Sequence, residues 1–172
     1  MGNYRRVRIP GGTYFFTVVT RHRKPVFRSP ENIEALRHAF RTVRERRPFV
    51  VEAIVVLPDH LHCIWRLPES DADYSGRWRE IKKLASRVLA PPSDERRERG
   101  LWQRRFWEHT IRDEHDWRVH MDYVHYNPVK HGLARRPCDW PWSSFARWVD
   151  RGWYEPDWGE SEPSDIAGAE WE

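Results

Sequence analysis

Cysteine, long apolar runs and evenly spread acidic charge are all scarce in this chain, and each shortage excludes something. Two cysteines in 172 residues, Cys63 and Cys138, make no disulfide framework, so a reducing, cytoplasmic setting is expected. No apolar run approaches the roughly 20 residues of a membrane span. The start, Met1-Gly2-Asn3-Tyr4-Arg5-Arg6, lacks the apolar stretch of a secretory signal. No internal repeat is present. Acids are thin over most of the length: residues 1–149 hold 29 of the 30 Lys and Arg but 18 of the 26 Asp and Glu, a net +11. Bases are thin in the last 23 residues, where eight acids face one arginine, a net −7.

What is present is aromatic and basic. A chain with 39% hydrophobic and 14% aromatic residues is too apolar to be disordered, and its length suits one domain with a real core. A basic body in a chain with eleven tryptophans fits a polyanion whose bases can stack, which favours nucleic acid over membrane. A solvated basic surface over a tryptophan-rich core is the plainer reading of the same composition.

The pattern predicts strands and helices in alternation. Thr13 to Thr20 is β-branched and aromatic and reads as a strand. Ser29-Pro30-Glu31 opens a helix whose stripe is Ile33, Leu36, Phe40 and Val43. Phe49 to Leu57 and His60 to Leu67, broken by Pro58-Asp59, read as an antiparallel hairpin. A second helix over roughly 75–89 places Trp78, Ile81, Ala85 and Val88 on one face. A charged loop from Pro91 to Gly100 leads to a fourth strand, Phe106 to Ile111. Asp113 caps a third helix expected to stop at Asn127-Pro128, because a residue before proline resists helical geometry. The order β-α-β-β-α-β plus a trailing helix is the α+β, ferredoxin-like split βαβ pattern, an antiparallel sheet with two helices on one face. Residues 1–149 form the expected catalytic body, with a basic leader over 1–12. Residues 150–172 read as an acidic tail or loosely docked arm.

Alternation along the third strand sends Leu61, Cys63, Trp65 and Leu67 to the helix side and His60, His62, Ile64 and Arg66 to the other. Imidazoles at i and i+2 lie about 7 Å apart along a strand, close enough to grip one ion. Alone, His-x-His is better read as two surface histidines. Asp116, His120, Tyr123 and Asn127 recur at spacings of 4, 3 and 4 on the third helix and so share one face. Asn127 would complete a three-ligand set with His60 and His62, suited to Mg²⁺ or Mn²⁺ as Lewis acid at a phosphate. Taken singly, Tyr123 and Asn127 are equally a polar flank and a helix cap. Tyr126, about 100° from Asn127 around the helix, is the rival tyrosine. His120 is a candidate proton shuttle, though a satisfied surface histidine is the plainer description. His109, His115, His125 and His131 gain no role from spacing. Asp59 is expected to shape the hairpin turn, and Cys63 to pack.

Several stretches resemble a known family. His60-Leu61-His62 after Pro58-Asp59 resembles the His-hydrophobic-His motif of HUH nucleases. Tyr123 to Leu133, YVHYNPVKHGL, is similar to the tyrosine-helix signature of REP-associated tyrosine transposases. Leu101 to His109, Trp140-Pro141-Trp142-Ser143-Ser144 and the leader Tyr4-Arg5-Arg6 with Gly11-Gly12-Thr13-Tyr14-Phe15 resemble the same family, so the likeness runs from residue 4 to about 148. It implies attack by Tyr123 on a DNA phosphate, a 5′-phosphotyrosine and a free 3′-hydroxyl that can reverse the step. It also implies a metal held by His60, His62 and Asn127. Insertion-sequence relatives carry glutamine where Asn127 stands, one methylene longer.

The resemblance further implies a bacterial, nucleoid-associated protein acting on single-stranded DNA with a palindromic hairpin. Tyr4, Arg5 and Arg6 and the basic positions Arg77, Lys82, Lys83 and Arg87 of the second helix would touch that DNA. Insertion-sequence relatives work as dimers that exchange tyrosine helices, whereas this family can act as monomers, so a homodimer and a monomer both stay open. The acidic tail would shield the basic groove, docked by Trp153, Trp158 and Trp171. The competing readings are a non-catalytic RRM-like nucleic-acid-binding module, a hydrolase using water in place of Tyr123, and a copy that binds without cutting. Against the RRM-like module, the central strands lack an RNP-like aromatic pair.

Overall fold

Strands and helices alternate as expected in the computed structural model, which describes residues 6–89 and 100–171. In chain order they are β1 (Thr13–Val19), α1 (Pro30–Arg46), β2 (Val50–Val56), β3 (His60–Arg66), α2 (Tyr74–Leu89), β4 (Trp107–Thr110), α3 (Glu114–Lys130) and α4 (Phe145–Asp150). The sheet runs β2-β3-β1-β4 with every pairing antiparallel, which is the ferredoxin-like order. Among the described residues no helix is long and apolar enough to cross a membrane.

Both faces of the sheet are covered. On one, α1 and α2 bring Ile33, Leu36, Phe40, Trp78 and Ile81 onto Phe16, Val18, Leu61, Cys63 and Trp65. Trp65 and Trp78 stack there at 4.3 Å and 18°. On the other face Phe15, Val55 and Ile64 lie under Met121, Tyr123 and Val124 of α3. Ser29 caps α1 by accepting the Asn32 N–H at 3.3 Å, with Pro30 at the first position. Val88, placed by spacing on the buried stripe of α2, is 68% exposed.

Two features bear on the sequence reading. First, α3 does not stop at Asn127 but runs through Pro128 to Lys130. Proline removes one N–H, yet the next turn still closes: His131 N–H donates to the Asn127 carbonyl at 3.0 Å. The chain then turns at Gly132 with φ +66°, a left-handed value that glycine adopts without strain. Packing of this turn outweighs the local preference of the residue before proline. Second, residues 150–171, read as a tail or a loosely docked arm, lie along α3. Ile166 joins the α3 core, and the Tyr154 hydroxyl donates to Asp122 at 2.7 Å. Trp158 stacks on Phe145, and Trp153 packs edge-on to Trp117.

Candidate active site

The site forms where the start of β3 passes under α3. His60 and His62 are both buried on the α3 side of the sheet, with ring centroids 4.9 Å apart at 82°. His60 Nδ1 lies 2.6 Å from Asp59 Oδ1. An ionised carboxylate only accepts, so Nδ1 carries the proton and Nε2 keeps its lone pair. Burial would raise the Asp59 carboxyl, but the His60 hydrogen bond and the charges of His60 and Arg23 outweigh it and hold it below the usual range. His62 is fixed the same way from the neighbouring strand, its Nδ1 lying 2.8 Å from Thr17 Oγ1. That hydroxyl spends its proton on the Trp171 carbonyl at 2.5 Å, so it must accept from His62 Nδ1. Burial, and then the charges of His60 and His131, push the His62 pKa well down and keep it neutral. Its Nε2 is buried and has no hydrogen-bond partner.

Helix α3 supplies the rest. The Tyr123 ring stands 5.2 Å from that of His62 at 75°. One turn on, buried Asn127 donates from Nδ2 to the Tyr123 carbonyl at 3.4 Å, while its Oδ1 has no partner. Unsatisfied buried polar atoms are rare. Two lone-pair atoms left open here, beside a second histidine oriented by a carboxylate, fit a divalent cation. Lys130, two turns from Tyr123, sets Nζ 3.3 Å from the tyrosine hydroxyl and 4.9 Å from its ring centre. The same ammonium donates to the Ala169 carbonyl at 2.7 Å. Tyr126 instead packs with Ile166 and lies beside Gly159, and burial raises its hydroxyl pKa.

Next along the same face, Asp116 organises two imidazoles. His109 Nε2 donates to its carboxylate at 2.8 Å, and His120 Nδ1 to its backbone carbonyl at 2.8 Å. Burial lowers the His120 pKa to about 4. His109, Asp116 and His120 bring one ligand atom each within 4.8 Å of one another. The Asp116 carboxylate also accepts from the Arg112 backbone and guanidinium, at 2.9 and 3.2 Å.

The expected DNA-contacting residues divide. Arg77 is a correction: it is 1% exposed, and its guanidinium is bonded to the carbonyls of Arg47, Pro48 and Asp73 and to Asp71. Helical spacing alone did not separate a solvated arginine from one under the α1–α2 junction. Arg6 lies over the Phe106 ring at 3.9 Å, and Lys82 donates to the Gln103 carbonyl; burial lowers the Lys82 pKa to about 8. Lys83 and Arg87 are exposed. Tyr4 and Arg5 lie outside the described residues.

Spacing missed the roles of three contributors: Asp59 and Thr17, which orient the histidines, and Lys130, which meets the tyrosine oxygen that Trp171 of the tail covers. His131 also approaches, its ring 5.1 Å from that of His60. His125, by contrast, is a core residue, with Nε2 2.8 Å from Ser144 Oγ. Only Asp59 carried a sequence signal, a carboxylate directly before the first histidine.

A sheet face carrying paired histidines beneath a helical tyrosine defines a class, and comparison with known proteins places the chain within it. Residues 10–127 match the family described as Transposase IS200 like. The chain is 49% identical over 158 residues to the REP-associated tyrosine transposase of Escherichia coli (strain K12), across 92% of this chain and 91% of that protein. It also superposes on a solved REP-associated tyrosine transposase bound to a REP hairpin, with TM-score 0.84, 47% identity and 96% of each chain covered. The chain belongs to the IS200-like transposase family, among the REP-associated tyrosine transposases. The family points to a divalent metal.

Proposed function

We propose that this transposase nicks and rejoins single-stranded DNA beside a hairpin, with Tyr123 as nucleophile. The observation that carries the reading is the contact of Tyr123 with His62, with Lys130 at the tyrosine oxygen. Tyr123 Oη gives up its proton as it attacks the phosphorus, the P–O3′ bond breaks, and the departing 3′ oxygen takes up a proton, so that no net proton is gained or lost. The product is a 5′-phosphotyrosine, which conserves the phosphodiester energy for rejoining. His60, His62 and Asn127 would hold Mg²⁺ or Mn²⁺, which when bound supplies Lewis-acid stabilisation at the phosphate. Lys130 sets positive charge beside the oxygen that reacts. His120, kept neutral by burial, has an open Nε2 for relaying a proton.

The hairpin as partner rests on the related structure with its bound REP hairpin. Arg6, Lys83 and Arg87 are the proposed contacts, with Tyr4 and Arg5 of the leader. The acidic tail covers the site, since the Trp171 N–H donates to the Tyr123 hydroxyl at 3.1 Å. Removing residues 168–172 is expected to speed the first nick; an unchanged rate would mean the tail does not guard it.

The decisive assay traps the intermediate. The full chain is mixed with a labelled single-stranded hairpin oligonucleotide and Mg²⁺ or Mn²⁺, then run on a denaturing gel. A shifted band that needs metal, disappears in Tyr123→Phe and persists in Tyr126→Phe is the expected result. Cleavage without an adduct would make water the nucleophile. Binding without cleavage would make the chain a binding module.

A further inference from the structure

We propose that the end of the tail occupies a nucleobase subsite: Trp171 lies where an unpaired base beside the cleaved phosphate stacks on His120. This rests on the tyrosine reading above and adds to it the place where the flanking nucleotide is held.

The geometry is that of a stack. The His109 ring lies 4.6 Å from His120 at 10°, and the Trp171 ring lies 4.3 Å from His120 at 14°. Two near-parallel rings that close to a third cannot share one of its faces, so His120 is sandwiched between them. Trp107, 39% exposed, extends the row beyond His109 at 6.1 Å and 11°. Trp107 and His109 belong to β4 and His120 to α3, whereas Trp171 comes from the chain's last residues. Withdrawing the tail therefore leaves a fixed aromatic platform with one bare face. Proteins that grip unpaired nucleic acid use such platforms, because every base has a flat π face.

The platform is rigid and close to the chemistry. Asp116 ties both imidazoles, so little rotamer freedom is lost when a base arrives. The Trp171 ring is 4.7 Å from that of Tyr123, and its backbone N–H reaches the tyrosine hydroxyl. Whatever replaces the indole lies next to the nucleophile, where the nucleotide flanking the phosphate must be. Lys130 holds the Ala169 carbonyl oxygen at 2.7 Å, an oxygen that a phosphate can replace.

The test is equilibrium binding of a hairpin oligonucleotide whose single-stranded flank carries an abasic site, stepped one position at a time. In the full chain and in Trp171→Ala, one flank position should show a penalty of roughly 5- to 150-fold, the value of one stacked base. Trp171→Ala should bind the intact flank more tightly than the parent. The penalty should vanish in His120→Ala and return in His120→Phe, which restores a ring. No penalty at any position, a penalty that persists in His120→Ala, or no gain from Trp171→Ala would each overturn the subsite. Adduct formation measured on the parent and on Trp171→Ala, with Tyr123→Phe as control, reports separately on Tyr123. A base penalty without any adduct would remove the tyrosine chemistry and leave the subsite standing.

Discussion

Arg77→Ala removes a guanidinium that is 1% exposed and donates to three backbone carbonyls, at 2.9 to 3.1 Å, and to Asp71 Oδ2 at 2.7 Å. Truncation leaves the carbonyls of Arg47, Pro48 and Asp73 without this donor and Asp71 without its ion pair. Breaking a buried pair costs roughly 3–5 kcal/mol, against about 0–1 kcal/mol for an exposed one. The Asp71 side chain keeps 31% exposure, which softens the ionic part, but the stranded carbonyls lie at the α1–α2 junction. A loss of about 3–4 kcal/mol is expected. At about 2–4 °C per kcal/mol for a chain of this size, Tm should fall on the order of 10 °C. Thermal unfolding followed by tryptophan fluorescence reads this directly. The folded variant, kept well below its Tm, should bind hairpin DNA with unchanged affinity and unchanged salt dependence. A phosphate-contacting arginine would behave oppositely, leaving Tm alone and lowering the salt slope by about one unit. That second pattern would refute the structural assignment of Arg77.

Asp59→Ala should raise the Mn²⁺ concentration needed for half-maximal adduct formation roughly 10- to 100-fold, as loss of an orienting carboxylate does. An unchanged metal titration would remove that role. Lys130→Met should slow adduct formation roughly 100-fold or more with hairpin affinity held, the signature of a group acting at the reacting oxygen; equal losses in both would make it a binding contact. The Asp71 carboxyl, which the Arg77 hydrogen bond holds at about 2 against an ordinary 3.8, contributes stability above its unfolded pKa. That contribution is lost as pH falls from about 4 towards 2, so acid titration of Tm should show a decline there that Arg77→Ala lacks.

The parts read correctly from sequence were those with a strong period. Alternation on β3 put His60 and His62 on one face and Cys63 and Trp65 on the other, as found. Helical spacing put Tyr123 near His62 and Tyr126 elsewhere. What escaped notice depended on long-range contact. Ending α3 at Asn127 hid Lys130, which needs one more turn to reach the Tyr123 oxygen. Thr17 reads as an ordinary strand threonine until β1 pairs it with His62. Trp171 reads as a docking residue of the tail, but at 48 residues from Tyr123 nothing periodic points it to the tyrosine oxygen. Arg77 failed for the opposite reason: its position on the helix was correct, but which element covered it was not visible.

The histidines, the tyrosine and the lysine of this site all meet within one chain. A strand exchange of the proposed kind that relies on such a chain can hold only one DNA end covalently at a time. The other end must wait as a free 3′-hydroxyl. Moving a segment with two ends would then demand either two successive visits to Tyr123 or two molecules working side by side.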